Sequence, residues 1–338
     1  MSSPSRAAPS PGPPPSRAGS GIAAGAGLAA ALVSFGLTSR DLGLLSTVTT
    51  VFMYGTLAQA WNILGGYGGY LNFGMAGFFG VGAYTAAILH RESGVSPLAA
   101  APVAGCVAVL VALLVGVPSL RLRGAYFALA TLIITFALQV VALDVPLTQG
   151  SLGIYLAPLR LSPRQSEQVF YFTYLGLLLA ATVLVYWVER SALGYALVAV
   201  REDEDAAEVL GVPTLAVKVT GLLLGAFLAG VVGGVYAGRI LYIEPTGTFA
   251  IDLSLNIVLM TVVGGSGTWQ GPLVGAPLVL LVAEALRVGV AHTALFGAGV
   301  PPELNRAVFG VVLIVVALLA PQGLVGIVRG IQGRSPPG

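Results

Sequence analysis

Ten mostly apolar runs follow one another along this chain, each close to the length of a membrane crossing. They fall at 21–38, 42–64, 74–90, 97–118, 124–143, 167–188, 213–238, 250–266, 269–290 and 304–321. A helix needs about 20 apolar residues to cross the ~30 Å hydrocarbon layer. Within lipid, only helices and closed barrels satisfy the backbone. No ten-residue alternating pattern of a barrel is present. The expected fold is therefore an all-α polytopic transmembrane helical bundle of about ten spans. The third and eighth runs are short, and both border Gly-rich stretches.

Charge is scarce to match. Residues of the AVILMFWYC set make up 56% of the 338 and Asp, Glu, Lys and Arg only 9%, against about 25% charged in soluble domains. A water-soluble fold cannot hide so much apolar surface. This excludes a soluble enzyme, a disordered protein and a nucleic-acid binder. The net charge is +2, from 16 basic and 14 acidic residues, so no basic field draws polyanions. Cys106 is the lone cysteine, so a disulfide framework or Cys-based metal site within the chain is impossible.

Residues 1–20 are Pro/Ser-rich and read as a disordered tail. The arginines before the first run also fit a signal peptide, but no clear cleavage site precedes a soluble domain, so the span is expected to be uncleaved. Residues 21–328 form the expected transmembrane domain and 329–338 a short tail. Ten spans put both termini on one side. Placing them in the cytoplasm leaves nine basic residues inside (Arg6, Arg17, Arg121, Arg123, Arg190, Arg201, Lys218, Arg329, Arg334) and seven outside, a narrow positive-inside margin. The longest outside loop is then 144–166.

Enzyme chemistry has little to work with. A P-loop needs Gly-Lys-Ser/Thr, yet the only lysine, Lys218, follows Val217. The two histidines, His90 and His292, lie near opposite segment ends, and no HExxH, GxSxG or shared acid pair occurs.

Two Gly-rich stretches stand out instead. The first runs from Trp61 and Asn62 through Gly65, Gly66, Gly68 and Gly69 to Asn72 and Gly74. Four glycines in five residues are expected to break a helix. In lipid such a break is tolerated only against protein or a water-filled path, as in transporters; a loop with tight small-residue packing fits equally. The second stretch is Gly264-Gly265-Ser266-Gly267-Thr268-Trp269-Gln270-Gly271-Pro272. Each ends a short apolar segment carrying an Asn (Asn62, Asn256), which fits two pseudo-repeated halves or two unrelated turns.

The linker 189–213 carries six of the fourteen acids: Glu189, Glu202, Asp203, Glu204, Asp205 and Glu208. Ser191 is expected to be an N-cap and Gly211 the C′ residue, with Pro213 opening the next helix. The expected surface helix turns Leu197, Val198, Val209 and Leu210 toward the membrane body. Lys218 is expected to snorkel from the cytoplasmic end. Glu284 and Arg287, three apart, are expected to pair, and Asp252 shares a face with Asn256.

Four stretches in order resemble a known family: 69–89 (GYLNFGMAGFFGVGAYTAAIL), LTQGSLGI (147–154), 189–212 (ERSALGYALVAVREDEDAAEVLGV) and 262–276 (VVGGSGTWQGPLVGA). Over roughly 45–325 the chain is similar to the LivM-type inner-membrane permeases of branched-chain amino acid ABC importers; urea and short-amide permeases are close relatives. Asn72 stands where many members have Ser, Gln149 where a Gly is expected, and the Pro-rich N-terminus is an extra. The resemblance implies a second, similar permease, two cytoplasmic ATPase subunits that bind the ATP, and an external solute-binding protein. No cofactor is then held by this chain. It implies an Ala-Ala-x-x-x-Gly coupling loop on Ala206, Ala207 and Gly211, with charged contacts from Arg201, Glu202 and Glu204. Asn62, Gly65, Gly66, Asn72, Ser254 and Asn256 are the expected path lining. The competing class is an ion-gradient secondary transporter, whose usual mid-membrane acid is not evident here.

Overall fold

The structure, a computed structural model, describes residues 31–39, 41–292 and Leu324. A short helix α1 (31–38) belongs to a unit of its own, Met1–Asp41; the second unit holds the rest. In that unit α2 (Leu42–Trp61) runs on as a π-helix through Asn62–Tyr67. Then come α3 (Met75–Ser93), α4 (Pro97–Val111), a π segment Ala112–Gly116, α5 (Val117–Ser119) and α6 (Ala125–Asp144). After them follow α7 (Pro163–Glu189), α8 (Ala192–Glu202), α9 (Glu204–Val209), α10 (Thr214–Ile240), α11 (Pro245–Thr248), α12 (Ile251–Gly264) and α13 (Gly271–His292). Strands β1 (Ile154–Tyr155) and β2 (Tyr242–Ile243) form an antiparallel pair, Ile154 opposite Ile243, which ties the long loop to the end of α10.

Eight of the ten expected runs fall on helices. The run 304–321, most of 21–38 and both tails lie outside the described residues, as does the side chain of Arg287. Among the described residues, five helical stretches are long and apolar enough to cross a membrane: Pro97–Ser119, Ala125–Asp144, Pro163–Glu189, Thr214–Ile240 and Pro245–Gly264. α2 and α3 carry more polar side chains (Thr49, Thr56, Gln59; Thr85, His90, Arg91). Much of their surface is covered by neighbouring helices rather than left bare, so it needs less apolar area.

α10 is the central helix, packed on α3 and α4 and touching α2. Small residues set these distances. A Cβ at Gly82 would strike the backbone of Gly230, and one at Gly233 the backbone of Phe79 and Ala83. Close backbone approach of this kind is how helices gain packing contacts where lipid removes the hydrophobic drive. The α2–α7 and α12–α13 pairs flank this centre.

The connections sort to two ends. Segments 62–74, 119–124, 189–213 and 264–271 meet at one end, through Lys218 with Leu120, Tyr70 with Glu204, and Glu189 with Trp269. At the other end Arg91 reaches Leu147 and β1 meets β2. The expected helix break falls within the Gly65–Gly69 run, but past its first two glycines, Gly65 and Gly66. The π-helix carries hydrogen bonding through them, because glycine accepts the wider turn, and the chain leaves helical geometry only near Gly69 (φ +73°).

Candidate functional site

The charged linker folds as two helices rather than the single one its composition implies. Ser191 caps α8, its Oγ accepting from the Gly194 N–H at 3.4 Å. Asp203 ends α8 in an extended conformation and starts α9, its Oδ1 accepting from the Ala206 N–H at 3.0 Å. A capping side chain at that point satisfies donors that a continuous helix would not expose. Gly211 (φ +87°) closes α9: its N–H donates to Glu208 O at 2.9 Å and the Val212 N–H to Ala207 O at 3.0 Å. These two bonds define a Schellman cap. Pro213 sits at the N-cap of α10, one residue before the expected first turn.

The restart at Asp203 changes which residues face inward. Leu197, Val200 and Ala207 are buried, whereas Val198 is exposed, against expectation, and Val209 and Leu210 are 88% and 84% exposed. The expectation that Val209 and Leu210 cover the membrane body is therefore wrong. The apolar register of α8 is not carried across the break.

Glu204 turns inward as well. Its Oε1 lies 2.7 Å from Lys218 Nζ, its Oε2 accepts from the Tyr70 hydroxyl, and Arg123 Nε stands 3.5 Å away. Lys218 does not snorkel: it is 3% exposed and donates also to Leu120 O at 3.1 Å and Tyr70 Oη at 3.2 Å. Burying an ammonium group requires such partners. Burial pushes the Glu204 pKa up, but the hydrogen bonds from Lys218 and Tyr70 and the charges of Lys218 and Arg123 outweigh it, and the carboxyl titrates below its ordinary value. Burial first, then the Glu204 hydrogen bond, raises the Tyr70 pKa. Arg123 also holds the exposed Asp205 low, chiefly by hydrogen bonding.

The sign of the pH dependence follows. A carboxyl with a depressed folded pKa contributes stability above its unfolded value and loses it as pH falls through the folded one. Amide protection across 204–212, corrected for intrinsic rate, is expected to hold from pH 8 to 5 and to fall below about pH 4. Glu204→Gln should remove most of that dependence. Protection that weakens instead between pH 7 and 5 would contradict the assignment.

Beside this cluster the two Gly-rich stretches touch. Asn62, fully buried, donates from Nδ2 to Thr268 O (2.9 Å) and accepts at Oδ1 from the Gly267 N–H (2.9 Å). A Cβ on Gly66 would meet Asn62 Oδ1 and stand 2.6 Å from Gly267 N. Gly65 lies against the Trp61 ring. Glu189 Oε2 accepts from the Tyr67 hydroxyl (2.7 Å) and the Trp269 N–H (3.2 Å). Arg201 Nη1 donates to Gly66 O at 3.2 Å, and Glu202 lies beside Arg201 at 3.7 Å.

Asn72 Oδ1 accepts from the Gly74 N–H at 2.8 Å and opens α3. Ser254 Oγ donates to Phe73 O (2.8 Å) and accepts from the Ala76 N–H (2.9 Å). Thus Asn62, Gly65, Gly66, Asn72 and Ser254 gather around the 62–76 segment. Asn256 sits half-buried two residues further along α12, on a different face. Ala206 and Gly211 are exposed on α9 and its cap. Sequence reading missed Tyr70, Arg123 and Glu189 as site members and the role of Lys218. The one usable signal was a single lysine placed 14 residues after an acid.

A family model described as branched-chain amino acid transport system / permease component matches residues 43–317. The chain is 27% identical over 314 residues to the high-affinity branched-chain amino acid transport system permease protein LivM of Escherichia coli, covering 85% of this chain and 71% of that protein. The Salmonella typhimurium protein of the same name is 26% identical with the same coverage. The galactofuranose transporter permease protein YtfT of Escherichia coli is 27% identical over 155 residues, 45% of this chain and 44% of that one. No solved structure matches the chain. The family match takes in every helix from α2 to α13 and both Gly-rich stretches, and the chain belongs to the family of branched-chain amino acid transport system permease components.

Proposed function

We propose that the chain is the membrane-spanning subunit of an ATP-driven importer, carrying branched-chain amino acids handed over by an external solute-binding protein. It works beside a second, homologous permease and on two cytoplasmic ATPase subunits. The observation that carries this reading is the α8–α9 segment. It is capped at both ends, held on the bundle by Glu204, by the buried Ala207 and by the Arg201 bond to Gly66 O, and offers Val209 and Leu210 outward. A merely solvated linker needs neither caps nor an apolar tip. The ATP site belongs to the partners in this reading, since the only lysine follows Val217 and lies buried against Glu204.

Ten spans with both termini cytoplasmic fit the sorting of the loops. Four segments that an alternating count assigns to one side, 65–73, 119–123, 189–212 and 267–268, do meet at one end. The crossing of the two Gly-rich stretches then closes the path at its cytoplasmic end. Asn62, Gly65, Gly66, Asn72, Ser254 and Asn256 line it when it opens. The named amino-acid permeases align with most of the chain and the galactofuranose permease with under half, which favours the amino-acid cargo.

The test is reconstitution in proteoliposomes with an ATPase pair, a second permease and a solute-binding protein from the same organism. Leucine uptake is expected to require both ATP and the loaded binding protein. Accumulation by this chain alone under an imposed proton or sodium gradient would overturn the ATP-driven reading. Uptake of a furanose sugar in place of leucine would overturn the cargo.

A further inference from the structure

The α8–α9 segment grips the chain between α2 and α3 from two sides. Arg201 donates to Gly66 O, and its aliphatic stem lies over Gly69, where a Cβ would stand 2.7 Å from Arg201 Cγ. Glu204 holds the Tyr70 hydroxyl on the other side. Lys218 locks this second grip, since one ammonium group joins Glu204 of α9, Tyr70 of the gripped segment, and Leu120 O next to α5. Downstream, the same segment is pinned at Phe73. Its N–H donates to Thr131 Oγ1 of α6 at 3.0 Å, and its carbonyl accepts from Thr135 Oγ1 of α6 at 3.2 Å and Ser254 Oγ of α12 at 2.8 Å.

We propose that Lys218 is a positioning residue for transport: with Glu204 and Tyr70 it couples displacement of α8–α9 to segment 66–74 and through Phe73 to α6 and α12. The inference rests on the coupling role proposed above. Two physical points support it. First, a buried ion pair is weak evidence of a role in global stability. Replacing a buried ion pair with neutral groups of similar volume is commonly neutral or stabilising, while such pairs serve best to fix register. Second, the contacts form an unbroken route from the exposed tip to two spans, and coupling needs a physical element that both ends bias. Arg201 alone holds the segment by one neutral carbonyl; Glu204 with Lys218 adds a charge-assisted bond that resists sliding.

The Lys218→Met/Glu204→Gln double variant removes both charges together and leaves no unpaired ion. In the full complex with ATPase pair, second permease and binding protein, it is expected to assemble with an unchanged melting temperature. Amino acid moved per ATP hydrolysed should fall about tenfold. A merely structural ion pair would leave that ratio alone, whether or not melting shifts. Tyr70→Phe removes one hydroxyl, keeps the fold, and should lower the ratio severalfold. An unchanged ratio in either assembled variant overturns the proposal. If the double variant does not assemble, Tyr70→Phe alone decides it. A wild-type complex in which ATP does not drive uptake would overturn the coupling reading itself, which separates that failure from this one.

Discussion

Val209→Asp with Leu210→Asp is expected to detach the ATPase subunits and abolish ATP-driven uptake while the permease itself stays folded. Both side chains are more than four-fifths exposed, and the bundle does not depend on them. Substitutions at such positions usually change stability by less than about 0.5 kcal/mol. On a partner's surface the balance reverses. Burying one Val or Leu contributes roughly 1.5–3 kcal/mol, and a carboxylate brought there without a partner costs several more. Every ~1.4 kcal/mol is tenfold in affinity, so the double change should weaken docking by at least about a thousandfold. Co-purification with the ATPase pair and uptake in proteoliposomes read the result. Val209→Ala with Leu210→Met should retain both. Undisturbed co-purification of the double aspartate would place the docking face elsewhere on the bundle.

The parts of this site that are local in the chain are legible in the sequence alone. Ser191 and Gly211 act as caps because capping depends on residues within four positions. Apolar run length places α2, α3, α4, α6, α7, α10, α12 and α13 because lipid thickness is a fixed ruler. Legibility ends where contacts become long-range. Lys218 meets Tyr70 from 148 residues away and Leu120 from 98, so a lysine near a helix start reads as snorkelling. Asp203 sits in a run of acids and reads as solvated, although its side chain splits the linker in two. That split carries Val209 and Leu210 from the inner to the outer face. Both Gly-rich stretches are visible, but Asn62 finds Gly267 across 205 residues, and no periodicity records a meeting of that kind. The expected helix break comes only at Gly68 and Gly69, after a π segment through Gly65 and Gly66, because glycine's backbone also tolerates a wider coil.

Glycine substitutions should separate the fold from the crossing. Gly82→Leu and Gly233→Leu are expected to prevent accumulation of folded protein. At both positions a new Cβ meets backbone of the facing helix, Gly230 or Phe79, and backbone cannot rotate away. Overpacking against movable side chains costs about 1–3 kcal/mol; against backbone the helices must part, and α10 holds the centre. Gly66→Ala should behave differently. Its added methyl meets Asn62 Oδ1 and Gly267 N, so it forces apart the two Gly-rich stretches without touching the α3–α10 contact. The protein should accumulate but melt below the wild-type temperature, since the buried Asn62 loses its partners, and the folded protein should lose most uptake, because the Asn62 bonds to Gly267 and Thr268 hold the crossing. Gly176→Ala on α7 faces open space and should be neutral or stabilising by up to ~1 kcal/mol, since alanine is the better helix former. Accumulation in membranes, thermal melting and uptake distinguish the three classes. Full uptake by Gly66→Ala would mean that the contact between the stretches plays no part in transport. Folded Gly233→Leu would mean that α10 and α3 do not approach as closely as their glycines permit.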